Sequence, residues 1–120
     1  MKYIFAVLLM LPSLAWAGVD TYAQCQFDTE CLAGEACAAT DYQMTIVHDD
    51  TFGFIMQTVA ENIQGYVFDK VTPDVEGTLI ARTKTTGHIL IIQPDGAAGY
   101  SVHMQGEMLI SYTGKCEVTQ

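Results

Sequence analysis

Residues 98–113, AGYSVHMQGEMLISYT, decide the fold, because apolar and polar side chains alternate on both sides of a central loop. A period of two is typical of a β-strand with one buried face. With residues 105–107 as a three-residue loop, Gly106 supplies a positive φ. The pairs facing each other are then Met104 with Met108, Val102 with Ile110 and Tyr100 with Tyr112. The opposite face carries Ser101, His103, Leu109 and Ser111. This separation of large from small side chains favours that register.

Similar short segments recur through the chain at intervals of about ten residues. They lie at 21–27, 42–47, 51–60, 65–68, 77–83 and 88–93. Turn-forming residues separate them at 48–50, 62–65, 72–74, 86–87 and 94–96. We therefore predict an all-β fold, an antiparallel meander of about seven to eight short strands with a cysteine-rich N-terminal segment. The meander forms a small barrel or a sandwich.

The segment HILIIQ, residues 88–93, is apolar on both faces of its strand. Ile89 and Ile91 lie on one face, and Leu90 and Ile92 on the other. We expect cover on both sides, because single domains usually bury such runs. The alternative is an exposed apolar patch for a partner.

The N-terminal residues predict export. Lys2 precedes an apolar run over 3–11, and Ala15-Trp16-Ala17 has the small residues of a signal-peptidase site. We predict a signal peptide over 1–17 and a single disulfide-stapled β domain over 18–120. The apolar run is too short to cross a bilayer comfortably, so no membrane span is expected in the mature chain. The predicted location is periplasmic or secreted.

The charge narrows the choice of partner. The formal net charge is −9, and loss of Lys2 with the signal peptide lowers it to −10. A protein this acidic repels the phosphate backbone of nucleic acid. The same field would attract a cationic partner, so the partner that we expect is a cationic protein or an envelope component. The alternative is that the charge only keeps an exported protein soluble.

Four cysteines in an exported chain predict disulfides. Cys25, Cys31, Cys37 and Cys116 allow three pairings, and their spacing matches neither a redox Cys-x-x-Cys motif nor a zinc site. Gly34, midway between Cys31 and Cys37, suits a chain reversal. We therefore favour the pairs 31–37 and 25–116, the second of which joins the first strand to the last.

Ser101 and His103 are the candidate binding residues, and they also carry the alternative of a small hydrolase. They share a strand face, but two positions apart and without a nucleophile-elbow motif. His103, Met104 and Met108 would suit copper, yet His103 and Met104 alternate to opposite faces. We therefore predict no catalytic residue, no metal site and no cofactor.

The ends of the chain carry a family resemblance. The early cysteine in TYAQCQ, the stretch PDGAAGYS and the closing cysteine in TGKCE resemble the membrane-bound inhibitors of c-type lysozyme. The chain is also similar to small secreted proteins of Gram-negative bacteria. The resemblance implies a small stapled β-barrel that binds lysozyme. Under this resemblance, the candidate residue for binding lysozyme is Ser101, beside the tyrosine of GAAGY. The family's Trp-x-Lys-Gly segment is replaced by ISYTGKC.

These observations favour a non-enzymatic periplasmic or secreted binding protein. One version of this prediction is an inhibitor-like protein with a cationic lysozyme-type partner. Two alternatives stay open. One is the hydrolase based on Ser101 and His103. The other is a carrier that holds a metal or an apolar ligand in the barrel interior.

Overall fold

A computed structural model describes residues 18–106 and 108–119, so the predicted signal peptide lies outside the described part. Eight antiparallel strands, each paired with its neighbour in the chain, form a closed barrel in which β8 pairs with β1. The strands are β1 (Val19–Leu32), β2 (Ala38–Asp49), β3 (Gly53–Thr58), β4 (Asn62–Asp69), β5 (Gly77–Arg82), β6 (Thr86–Ile92), β7 (Ala97–Met104) and β8 (Leu109–Val118). The all-β prediction is confirmed, and of the two predicted architectures, barrel and sandwich, the structure has the barrel.

The last hairpin has the predicted register. Tyr100 pairs with Tyr112, and Val102 pairs with Ile110. The loop between β7 and β8 turns at Gly106, whose φ is 93°. This loop belongs to what we call the upper end of the barrel, together with the turns 33–37, 59–61 and 83–85. The lower end holds the turns 50–52, 70–76 and 93–96 and both ends of the described chain.

The turn predicted at 86–87 is wrong, because those residues belong to β6. The turn predicted at 62–65 is also wrong, because those residues belong to β4. The chain reverses at 59–61 instead, where the Thr58 hydroxyl accepts hydrogen bonds from the backbone N–H groups of Ala60 and Glu61. A threonine that caps its own turn needs neither glycine nor proline. The shift also places Ile63 in the core, where it is 2% exposed.

Inward side chains fill the barrel. Phe27, Tyr42, Tyr100 and Tyr112 form one aromatic group, with ring centroids 4.7 to 6.4 Å apart. A second group lies toward the lower end, where the Tyr22, Phe54 and Phe68 rings meet. The aliphatic core between them includes Met44, Ile46, Met56, Leu79 and Leu90. Large aromatic and aliphatic side chains therefore replace the empty lumen that a barrel can otherwise enclose.

Both disulfides join the cysteines expected from the sequence, Cys25 with Cys116 and Cys31 with Cys37. Cys25 and Cys116 are direct cross-strand partners, with Cα atoms 3.9 Å apart. Their bond therefore crosses the junction between β1 and β8, where the barrel closes. The second bond spans the upper hairpin, and the chain reverses there at Gly34, whose φ is 82°.

The junction of β1 and β8 also depends on Gly114. A Cβ atom on this residue would lie 2.6 Å from the Cα of Phe27 and still closer to the carbonyl oxygen of Gln26. Both neighbours are backbone, which cannot give way as a side-chain end can. Glycine therefore lets β8 approach the irregular part of β1 between Phe27 and Thr29.

The expected cover on both faces of 88–93 is not found. Leu90 and Ile92 are buried, but Ile89 is 44% exposed. A closed barrel consists of one sheet, and only the inner face of that sheet is buried. No second layer of described residues covers its outer face. In the described residues, no helix has the length and apolarity needed to span a membrane.

Candidate functional site

Ser101 and His103 both point outward from β7, so the structure places them on one face as expected. Ser101 pairs with Ser111 and Ile89, and His103 pairs with Leu109 and Gly87. No hydrogen bond joins the two side chains within the described residues. Among the described residues that line the surrounding groove, none carries a carboxylate that could orient His103. Within the described residues, Ser101 therefore has no hydrogen-bonded base, and His103 has no acid that orients it as an activated serine requires.

The candidate metal ligands are separated as the alternation predicts. His103 is exposed on the outer face, whereas the side chain of Met104 packs against the core. Met108 is 53% exposed beyond the start of β8. Over 18–106 and 108–119, the structure contains no group of three histidine, cysteine or acidic side chains that could hold a metal ion.

A chain of hydrogen-bonded side chains runs from the upper end into the core. The hydroxyl oxygens of Thr83 and Thr86 lie 2.7 Å apart, and Thr86 Oγ1 lies 2.7 Å from Nε2 of His88. Nδ1 of His88 lies 2.7 Å from the Tyr100 hydroxyl oxygen. His88 is 4% exposed and Tyr100 is 2% exposed. Every buried polar group of this side-chain network therefore has a hydrogen-bond partner, as stability requires.

The hydrogen-bonded network of Thr83, Thr86, His88 and Tyr100 is electrically neutral near pH 7. Burial lowers the pKa of His88, although the negative charge of Glu61 acts in the opposite direction. Burial also raises the pKa of Tyr100, with a smaller contribution from Tyr42 and Tyr112. Burial and a hydrogen bond with Glu30 raise the pKa of Tyr112 to about 12. A neutral, buried and fully paired network stabilises the upper end and offers no group to a substrate.

The sequence prediction did not single out His88. The available signal was its spacing, because His88 has the same strand parity as Leu90 and Ile92 and therefore faces the core. Its partners could not be inferred, since they depend on the pairing of β6 with β7 and on the turn before β6.

The interior gives little room for a ligand. A cavity of about 10 Å³ lies toward the lower end, between Tyr22, Phe68, Leu79 and Leu90. That volume accommodates about one water molecule. The space among these side chains is much smaller than the volumes of at least ~300 Å³ that small-molecule sites occupy. The outer surface is therefore the better candidate for binding.

Charge is distributed unequally around that surface. Residues 18–77, which form β1–β4 and their connections, contain eleven carboxylate side chains, with Lys70 as their single cation. Residues 78–120 contain three carboxylates and three cations. The whole net charge of −10 expected for the mature chain thus resides in the first half. Six of the eleven carboxylates lie on strands β1, β2 and β4, and the other five lie in turns at the two ends of the barrel. The β1–β4 side of the barrel is therefore acidic, whereas β5–β8 and their turns are together neutral.

Several acidic side chains on the β1–β4 side are open to solvent. Asp28 and Asp41 are exposed on the neighbouring strands β1 and β2. Gln26 Nε2 donates a hydrogen bond of 2.7 Å to Oδ1 of Asp41, and the Thr29 hydroxyl donates one of 3.0 Å to Asp28. Neutral donors position these carboxylates and leave their charge available to a partner.

The structure thus offers an acidic side, a neutral apolar side and a filled interior, without a catalytic constellation in the described residues. Comparisons of the chain with family models, with curated proteins and with solved structures found no significant match.

Proposed function

We propose that the protein is a non-enzymatic binding protein of the periplasm or extracellular space, and that its acidic β1–β4 side binds a cationic protein. The supporting observation is that eleven of the fourteen carboxylates belong to residues 18–77, six of them on strands β1, β2 and β4 of a filled barrel. A one-sided charge of this size attracts a basic partner and orients it during the encounter. Two disulfides in a small barrel are compatible with an oxidising compartment.

A c-type lysozyme is the partner that we propose first, because the terminal cysteines and the GAAGY stretch resemble lysozyme inhibitors. Complementary charge supports the same choice, since the partner must be cationic. The test is the rate at which lysozyme lyses bacterial cell walls in the presence of the exported, processed protein. We expect slower lysis at molar excess, with an effect that weakens as salt screens the charges. Unchanged lysis at large excess and low salt would rule out the inhibitor.

Matched variants locate the contact. Asp28→Asn combined with Asp41→Asn should weaken inhibition about three- to tenfold, as expected for two exposed charge pairs. Asp95→Asn combined with Glu117→Gln removes the same charge from exposed positions of residues 78–120 and should have a smaller effect. Equal effects of the two double variants would mean that only the net charge matters.

The resemblance offers a second location for the contact, at Ser101 on the outer face of β7. Ser101→Ala should leave inhibition unchanged if the acidic side carries the contact. A loss of inhibition in Ser101→Ala, with full inhibition in the Asp28 and Asp41 variant, would move the contact to β7.

A further inference from the structure

The outer face of β5–β8 differs from the rest of this acidic surface. Backbone pairing arranges its outward residues in three rows across the four strands. The rows are Arg82–Gly87–His103–Leu109, Ile80–Ile89–Ser101–Ser111 and Thr78–Ile91–Gly99–Thr113. We call these twelve residues the β5–β8 face. None of them is acidic, although Glu76 lies in the turn just before β5.

The residue composition of the β5–β8 face resembles that of the buried centre of a protein–protein interface. Ile89 is 44% exposed and Leu109 is 41% exposed, and together with Ile80 they line an open groove of about 300 Å³. Tyr66 of β4 forms one side of this groove, with the guanidinium carbon of Arg82 placed 5.8 Å from the centre of its ring. Apolar side chains with tyrosine and arginine, and without Asp or Glu, are typical of the buried centre of protein interfaces.

Two glycines of this face are not required by the barrel itself. Gly87 and Gly99 have no positive φ, and a Cβ atom built on either one would meet no other atom within 4 Å. Gly114, by contrast, is needed for the close approach of β8 to β1. A glycine inside a strand weakens the strand, and such a glycine often marks a site where another backbone approaches closely. The open space above Gly87 and Gly99 indicates such an approach from outside the barrel.

We propose that the β5–β8 face binds a second copy of this chain, forming a two-fold symmetric dimer. Two copies that each carry −10 repel one another, and the neutral half of the barrel is where this repulsion is least. The alternative occupant, a different protein with an apolar surface, would not require this neutrality. The proposal goes beyond the binding of a cationic partner, and both acidic sides remain free in the dimer.

The arrangement of large and small residues is self-complementary. A two-fold axis that crosses the strands at the level of Ile89 exchanges the first and third rows between the copies. Ile91 of one copy then lies over Gly87 of the other, and His103 lies over Gly99. Because the barrel is convex, these central residues of β6 and β7 make the closest contact. The large side chains thus meet the two positions that lack a side chain.

Analytical ultracentrifugation of the exported, processed protein tests this dimer at concentrations up to about 1 mM, where an association free energy of only ~4 kcal/mol is detectable. We expect a monomer–dimer equilibrium that shifts toward dimer as salt rises, because salt screens the repulsion between the copies. A monomer at every concentration and salt level would overturn the proposal, even if another protein binds the face.

Variants then locate the interface. Ile89→Glu should raise the dimer dissociation constant at least tenfold, because it buries a charge in the contact. Gln43→Glu adds the same charge at an exposed position of β2 and should change the constant by less than twofold. Gly87→Val should also weaken the dimer at least tenfold while thermal stability is retained. A dimer that survives Ile89→Glu and Gly87→Val would overturn this location. Lysozyme takes no part in the measurement, so its outcome is independent of the inhibition test.

Discussion

Nδ1 of His88 lies 2.7 Å from the hydroxyl oxygen of Tyr100, inside the barrel. The two residues belong to the neighbouring strands β6 and β7, but they are not direct partners, since Tyr100 pairs with Leu90. Thr86 occupies the other ring nitrogen of His88. A neutral imidazole has one donor and one acceptor, so this arrangement uses both. The imidazole therefore links the turn before β6 to the core through a polar contact whose geometry is more restrictive than that of an apolar one.

Stability should fall as the pH is lowered from about 6.5, because burial lowers the pKa of His88 in the folded state. The unfolded chain takes up a proton near pH 6.5, and the folded chain does so only at lower pH. The unfolded state thus binds more protons in this window, so the free energy of unfolding rises with pH by up to ~1.4 kcal/mol per unit. Urea unfolding at a series of pH values measures the slope. His88→Gln should reduce this slope. Equal slopes in the wild type and His88→Gln would contradict this role.

Removing the hydroxyl of Tyr100 should destabilise the protein more than its size suggests. Tyr100→Phe leaves Nδ1 of His88 buried without a partner, at an expected cost of about 1–3 kcal/mol in the free energy of unfolding. Tyr66→Phe removes the same atom from a side chain that is 62% exposed, and should cost less than about 0.5 kcal/mol. Denaturant titration of both variants decides the matter. Similar stabilities would mean that the hydrogen bond contributes little.

The two disulfides should contribute unequally. Cys25 and Cys116 are 91 residues apart, whereas Cys31 and Cys37 are 6 apart. Closing a longer loop removes more entropy from the unfolded chain, so replacing the first pair by alanine should cost about 2–5 kcal/mol. Replacement of the second pair should cost about 2 kcal/mol or less. Thermal and urea unfolding of the two double variants give the order. The reverse order would mean that the upper hairpin depends on its own bond.

Two glycine substitutions should have opposite signs. Gly114→Ala forces a Cβ atom against the backbone of Gln26 and Phe27, and should cost about 1–3 kcal/mol. Gly99→Ala places the same atom in open space and restricts the unfolded chain, so it should be neutral or stabilise by up to ~1 kcal/mol. Unfolding free energies of the two variants test the pair. A tolerated Gly114→Ala would show that β1 can move away from β8.

Much of the fold followed from local pattern. Alternation along 98–113 gave the correct register of the last hairpin, because one inward face fixes which side chains meet. The midpoint position of Gly34 and the distance of Cys116 gave the two disulfide pairs that the structure contains. The hairpin register depends on residues that are close in sequence, and the disulfide pairs depend on only four cysteines, which allow three pairings.

The remaining features depend on distant residues. Closure of the sheet requires β1 to pair with β8, and no local pattern distinguishes that from a sandwich. The exposure of Ile89 follows from that closure, since a barrel leaves its outer face uncovered. The acidic and neutral sides are visible only when the eleven carboxylates of 18–77 are mapped onto neighbouring strands.

The bond between Cys25 and Cys116 has a mechanical consequence. Tension applied at residues 18 and 119 would pass along 18–25, across the sulfur atoms and out along 116–119. The strands between these cysteines would carry none of that load, so pulling would extend only the short terminal segments. Under such tension, the barrel would hold its shape until the sulfur–sulfur bond is reduced.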